Sequence, residues 1–165
     1  MIFKNLNKNF LFNFLLVLSI FIFDRVSKIY VIYLDKKFFG SEIFSSKFLN
    51  INLVWNKGIA FGLLSFNQET FYNFLTILIS LIILIILFLI LKTKGIEKFT
   101  LLMILGGALG NFYDRILYKA VPDFIDFHIG NLHWFIFNVS DIFITFGVIG
   151  MIILEFFGKN KKNEN

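Results

Sequence analysis

Hydrophobic residues along this chain gather into four long runs, roughly residues 10–33, 71–91, 99–118 and 139–157, separated by stretches where lysine, asparagine and glycine collect. Each run approaches the ~20 residues that a helix needs to cross ~30 Å of hydrocarbon. None alternates residue by residue as a barrel strand would. Backbone amides cannot stay unpaired in lipid, so the pattern predicts four transmembrane helices. The connection at 34–67 reads differently. In "FLNINLVWN", Leu49, Ile51, Leu53 and Trp55 alternate with Asn50, Asn52 and Asn56, which predicts a strand on the membrane surface. It is followed by "NKGIAFG", where Gly58 and Gly62 allow turns that other residues resist. The connection at 119–137 opens on Val121-Pro122-Asp123, and because proline disfavours helix before it, the third helix should end by about Ala120.

Composition narrows the class. The 165 residues are 58% hydrophobic, 19% aromatic and only 16% charged, too apolar for an ordinary soluble domain. Without internal repeats or linkers, residues 1–165 read as a single integral membrane domain ending in a solvated "KNKKNEN". An even number of spans puts both termini on one side, and lysine tells which. Lys4, Lys8, Lys92, Lys94, Lys98, Lys159, Lys161 and Lys162 crowd the termini and the short second connection, whereas Lys36, Lys37, Lys47, Lys57 and Lys119 are spread over the two long ones. Cytoplasmic segments retain positive charge, so both termini are expected in the cytoplasm. Trp55, Trp134 and the tyrosines Tyr30, Tyr33, Tyr72, Tyr113 and Tyr118 then all fall toward the outer face, as a one-sided aromatic belt. The first run imitates a secretory signal peptide, but no small-x-small cleavage site follows it. There is no cysteine, hence no disulfide and no thiolate nucleophile.

The informative charges are those within the apolar runs. Asp24, Asp114 and Asp141 are all expected toward the outer leaflet, and Asp123 can reach the same layer. Asp24 and Lys28 stand at i, i+4 with the acid first, the favourable order for a helical ion pair. Asn111, Asp114 and Arg115 share one stripe at i, i+3 and i+4, so both sets can neutralise themselves as polar clamps between helices. Gly106 and Gly110, four apart, predict close helix packing. Asp123 and Asp141 are left without an obvious cation. Facing each other at a lipid boundary they would share a proton and titrate as a unit, supplying a base and an acid for hydrolysis by an activated water. The alternative is a helix-capping Asp141 and a solvated loop acid at Asp123. Other chemistries lack their patterns. His128 and His133 have no zinc-ligand spacing and read as interfacial imidazoles, no G-x-S-x-G occurs, and there is no phosphate-binding glycine loop.

The blocks "NKGIAFG", "GGALGNFYDR", "VPDFID" and "FNVSD", in this order and between these helices, closely resemble the bacterial lipoprotein signal peptidases, the signal peptidase II family. "DRVSK" in the first run also looks like the family's Asp-x-x-x-Lys pair. The resemblance spans about residues 24–141. It implies an all-α membrane fold of four transmembrane helices with a small extracytoplasmic β-cradle, formed by the outer strand segment, and a short periplasmic helix over Pro122 to Trp134. It implies an aspartic intramembrane endopeptidase of the bacterial cytoplasmic (inner) membrane that removes signal peptides from prolipoproteins, cutting before a diacylglyceryl-modified cysteine. Asp123 and Asp141 take the catalytic dyad. Asn56, Asn111, Arg115 and Asn138 match positions that orient the dyad or bind the substrate backbone, with Asp114, Asp24 and Lys28 in support. Implied partners are diacylglyceryl-modified prolipoproteins and membrane lipid, with no cofactor, metal or nucleic acid, acting as a monomer inhibited by the cyclic peptide globomycin. Three positions depart from the family pattern: Lys119 where glycine is usual, Phe135 where proline is frequent, and Ser140 where alanine is usual. A proton-coupled carrier using Asp24, Asp114 and Asp141, or an assembly protein, would also keep intramembrane acids. A carrier, however, needs a polar path to both faces, and from Leu75 to Leu91 the second run offers only Thr76 and Ser80.

Overall fold

A computed structural model describes residues 2–58 and 68–162. Its elements run α1 (Ile2–Lys37), β1 (Phe44–Ser45), β2 (Leu49–Asn56), α2 (Gln68–Lys92), α3 (Gly95–Tyr118), β3 (Val121–Ile129), β4 (Leu132–Phe137) and α4 (Val139–Lys162). Ala60, Phe61 and Gly62 of the "NKGIAFG" block lie outside the described residues. Among the described residues, three helices have segments long and apolar enough to cross a membrane: Lys8–Lys37, Tyr72–Lys92 and Val139–Phe157. The chain is thus a multi-pass membrane protein. α3 is of similar length, but Asn111, Asp114 and Arg115 dilute its apolar run. It sits at the centre, in contact with α1, α2 and α4.

Burial follows the same logic. Large apolar side chains such as Phe10, Phe74, Leu84 and Phe146 face outward, while the fully enclosed side chains include Asp24, Lys28, Asp114 and Asn138. That is the inverse of a water-soluble core, and it suits helices whose outer surroundings are hydrocarbon. Ile83, Ile86 and Ile90 of α2 pack against Leu101, Leu102 and Leu105 of α3 to form the main apolar seam. On its other faces α3 presents glycine. A Cβ on Gly107 would stand 2.5 Å from the Ser140 carbonyl oxygen of α4, and one on Gly110 would meet Asp24 of α1 and Ser140 of α4. Small residues here let three backbones meet around buried charges.

The four strands form one antiparallel sheet in the order β1-β2-β3-β4. Asparagine alternation in "FLNINLVWN" does become a strand, β2. The stretch from Pro122 to Trp134, expected from the family resemblance to hold a short helix, is instead a hairpin of β3 and β4. Ile129 pairs with Leu132 across a two-residue turn, Gly130-Asn131, and Gly130 has φ +60°, as the first residue of a tight hairpin turn prefers. β-branched and aromatic residues on both sides favour the pleated surface, and Pro122 sits at the strand start, where its missing N–H matters least.

The sheet caps one end of the bundle. α1 leads into it at Lys37, α3 leads into it at Tyr118, and α4 leaves it at Val139. At the opposite end the start of α1 lies beside the α2–α3 connection, with Asn9, Phe10 and Asn13 lining a common cavity with Lys94, Gly95 and Lys98. The lysine-rich segments therefore share the end away from the sheet.

Candidate functional site

Beneath the sheet, α1 and α3 carry a cluster of four charges. Lys28 Nζ lies 2.9 Å from Asp24 and 2.7 Å from Asp114, and donates to Asn111 Oδ1 at 2.8 Å. Arg25 pairs with Asp24 at 3.0 Å and with Asp114 at 2.6 Å, its guanidinium 5.1 Å from the Tyr113 ring centre. Asp24 also accepts the Ser140 backbone N–H at 3.0 Å. The expected Asp24–Lys28 pair exists, but Asp114 is neutralised across the helix interface by α1 and not by its neighbour Arg115. Arg25, to which the sequence pattern assigned no partner, completes the cluster. Buried charges are tolerated where opposite signs and hydrogen bonds surround them, as here.

Asn111 connects this cluster to the next layer. Its Oδ1 accepts from Lys28, and its Nδ2 donates to Asp141 Oδ1 at 2.8 Å. Asp141 stands in the first turn of α4, where its Oδ2 accepts the backbone N–H of Asn138 at 3.0 Å, while Asn138 Oδ1 accepts the Asp141 N–H at 3.2 Å. This is a reciprocal capping box, encoded by the N-x-x-D spacing of "FNVSD". The same Asn138 donates its Nδ2 to Asp123 Oδ1 at 2.6 Å. Asp123, on β3, takes a second bond from Asn56 Nδ2 at 2.9 Å, and Asn56 Oδ1 in turn accepts the Gly58 N–H at 2.7 Å. Asn138 thus touches both candidate acids.

Asp141 does cap its helix, as the alternative reading had it, yet Asp123 is no solvated loop acid: it is only 4% exposed. Burial pushes its carboxyl above the ordinary range, reinforced by the nearby Asp141 charge and opposed by the bonds from Asn138 and Asn56 and by Lys28. Arg115 donates to the Asn111 carbonyl oxygen at 3.3 Å, its own carbonyl accepts from Tyr72, and its Nε is buried without a partner. Among the described residues no acid lies within ion-pair distance of it. A cavity of about 310 Å³, walled by Phe127, Phe135, Phe137, Ile142, Thr145 and Phe146, reaches Asp141 from the apolar side.

Two of the unusual positions acquire physical context. Lys119 adopts φ 53° and closes α3 in the left-handed conformation that glycine takes most readily. Ser140 is fully enclosed with its Oγ unpartnered, a place where alanine would serve as well. Phe135 lies exposed on β4. Asp126 accepts from His133 at 2.8 Å across the hairpin, a contact the sequence pattern did not indicate.

The chain matches the family model of signal peptidase (SPase) II over residues 16–157. It is 52% identical to the lipoprotein signal peptidase of Pelagibacter ubique, covering 94% of this chain and 93% of that one. Identity to the lipoprotein signal peptidase of Anaplasma phagocytophilum is 39%, over 85% and 88% of the two chains. A bacterial membrane enzyme whose structure was solved by the in meso method superposes with a TM-score of 0.69 at 32% identity, over 93% of this chain and 91% of the other.

Proposed function

Since the chain belongs to the signal peptidase II family, we propose that it is an aspartic endopeptidase working within the membrane on lipid-modified prolipoproteins, with Asp123 and Asp141 as its reacting groups. The observation that carries this reading is Asn138, which bonds both carboxylates at once. A residue serving only as a helix cap has no reason to hold a second, buried acid. One aspartate, ionised, takes a proton from water as the oxygen attacks the scissile carbonyl carbon. The other, protonated, donates a hydrogen bond to the oxygen on which negative charge develops. Burial of Asp123 favours a proton being held within the pair. Arg115 and Asn56 offer donors to the peptide backbone of the substrate, and Asn111, Lys28, Asp24 and Asp114 hold Asp141 in place from below.

The full proposal includes α3 as a fourth membrane span, both termini in the cytoplasm, and the sheet on the outer face of the bacterial inner membrane. With that orientation the acids lie just below the outer interface. The diacylglyceryl chains of a substrate can remain among outer-leaflet lipids, and the apolar cavity beside Asp141 gives them a wall to follow. No step requires a metal or cofactor, and a single chain contains all the named groups.

The test uses purified full-length protein and a prolipoprotein carrying diacylglyceryl on its cysteine, with chelator present. Asp123→Asn and Asp141→Asn should each abolish cleavage while the protein stays folded, because an amide supplies neither the base nor the shared proton. Globomycin should compete with substrate for the unmodified enzyme. Cleavage surviving loss of either acid would remove the dyad, and globomycin binding unchanged after both replacements would place the inhibitor elsewhere.

A further inference from the structure

On the outer hairpin, away from Asp123 and Asp141, three side chains converge that the peptidase reading does not use. Asp126 and His128 are two apart on β3 and so share a face of the strand. His133 on β4 stands directly opposite His128. The pairing of Asp126 with Ile136 would by simple alternation bring residue 134 opposite His128. An irregularity between Asp126 and His128 gives β4 one extra residue, and this presents His133 to that face instead. The two imidazoles stack with centres 5.1 Å apart and 22° between planes. His133 Nδ1 reaches Asp126 Oδ2 at 2.8 Å.

Two further observations set this cluster apart from an ordinary cross-strand pair. Asp126 is 5% exposed, and its second oxygen, Oδ1, is buried with no hydrogen-bond partner. The Nδ1 of His128 is likewise buried and unpartnered. Buried polar atoms without a partner are uncommon in folded proteins and call for an explanation, and two of them fall together in this cluster. Here they belong to an oxygen and a nitrogen of the same three-residue cluster. One ligating atom from each of Asp126, His128 and His133 can be chosen so that all three lie within 4.8 Å of one another. That spacing lets a single ion touch all three after small side-chain adjustments, since metal–ligand distances to nitrogen and oxygen are about 2.0–2.2 Å.

We propose that Asp126, His128 and His133 form a binding site for one divalent transition-metal ion of the zinc class. Two imidazoles and one carboxylate are a borderline donor set, suited to zinc, cobalt or nickel and poorly suited to magnesium or calcium, which take oxygen ligands. His133, half exposed, faces the open side where water completes the coordination. The ion ties β3 to β4 three residues beyond Asp123. It is therefore a brace on the hairpin above the acids and takes no part in bond cleavage.

The experiment uses full-length protein in detergent micelles, stripped by chelator and with any affinity tag removed, titrated with Zn(II), Co(II) and Mg(II). One Zn(II) per chain should bind, with a rise in the unfolding temperature. Co(II) should give the intense visible absorption of a low-coordinate nitrogen and oxygen site, and Mg(II) should do neither. His128→Phe and His133→Phe keep an aromatic pair in the stack, and Asp126→Asn keeps an acceptor for His133. Each should weaken Zn(II) binding by about a hundredfold or more, since losing a direct ligand costs at least as much as losing its supporting shell. The unfolding temperature of each variant should no longer respond to Zn(II). Unmodified protein that takes up no Zn(II), or the three variants binding it as tightly as the parent, would overturn the site. Peptidase activity is read separately: stripped protein and all three variants should still cleave, so the failure of one proposal leaves the other standing.

Discussion

Replacement of Asn138 separates its two duties. Asn138→Ala removes the Nδ2 bond to Asp123, 2.6 Å long, and the Oδ1 cap on the Asp141 N–H, while the backbone bond from residue 138 to Asp141 survives. A hydrogen bond to a charged group contributes about 1.5–3 kcal/mol and a helix cap about 1 kcal/mol. The alanine variant should thus lose roughly 2.5–4 kcal/mol of interaction. Asn138→Ser keeps a capping oxygen but cannot span to Asp123, so it should lose only the first part. Thermal unfolding of the purified proteins should then rank parent, serine and alanine, with serine above alanine by about 1 kcal/mol. Activity should rank differently. Both variants leave Asp123 free to turn away from Asp141, and if the bond at stake is fully expressed in the transition state, cleavage falls by about ten- to a hundredfold in each. The serine variant is the decisive one, being nearly as well capped but no longer joined to Asp123. If it cleaved at the parent rate, the link between the two carboxylates would have no part in the reaction.

Lys28→Met keeps much of the side-chain volume but leaves Arg25 as the cation that Asp24 and Asp114 must share, so unfolding stability should drop by about 3–5 kcal/mol; a change below about 1 kcal/mol would mean the cluster is already satisfied without its lysine. The raised carboxyl of Asp123 gives a pH signature. Between the ordinary value of 3.8 and its higher folded value, the folded protein binds more protons than the unfolded one, so this residue lowers stability as pH rises through that window. Asp123→Asn should accordingly gain stability relative to the parent at neutral pH and show no gain below pH 3.8; an equal gain at both pH values would assign it to something other than the charge. For topology, a reporter active only in the cytoplasm, fused after Asn165, should be active, and activity only from an exported reporter would invert the orientation.

Much of this site could be read from residue order because the relevant interactions are local. The i, i+4 spacing of Asp24 and Lys28 and the N-x-x-D spacing of Asn138 and Asp141 each specify a contact within one turn of helix, and both contacts form. The spacing of Gly106 and Gly110 predicts close packing without saying against what. Nonlocal choices were less legible. Asp114 has Arg115 beside it in sequence, yet side chains at i, i+1 point in different directions on a helix, and the cations that reach it come from α1. The hairpin at residues 121–137 has a signal in Ile129-Gly130-Asn131-Leu132, a two-residue turn between apolar runs, at odds with the short helix that the family resemblance implies. The irregularity that turns His133 toward Asp126 has no sequence signature, since it depends on how β4 settles against β3.

With α3 as the fourth span proposed above, the charged cluster would also bear on the order in which the protein is made. Asp114 lies 86 residues after Lys28, so at synthesis rates of about 5–20 residues per second α1 waits roughly 4–17 s for its partner. In that interval Asp24 and Lys28 can satisfy each other along their own helix, but Arg25 has no distant acid to meet. A nascent α1 is then poorly suited to release into lipid alone. The insertion machinery should retain it, or hold it at the interface, until α3 emerges, so that the charges enter hydrocarbon together as a nearly neutral unit.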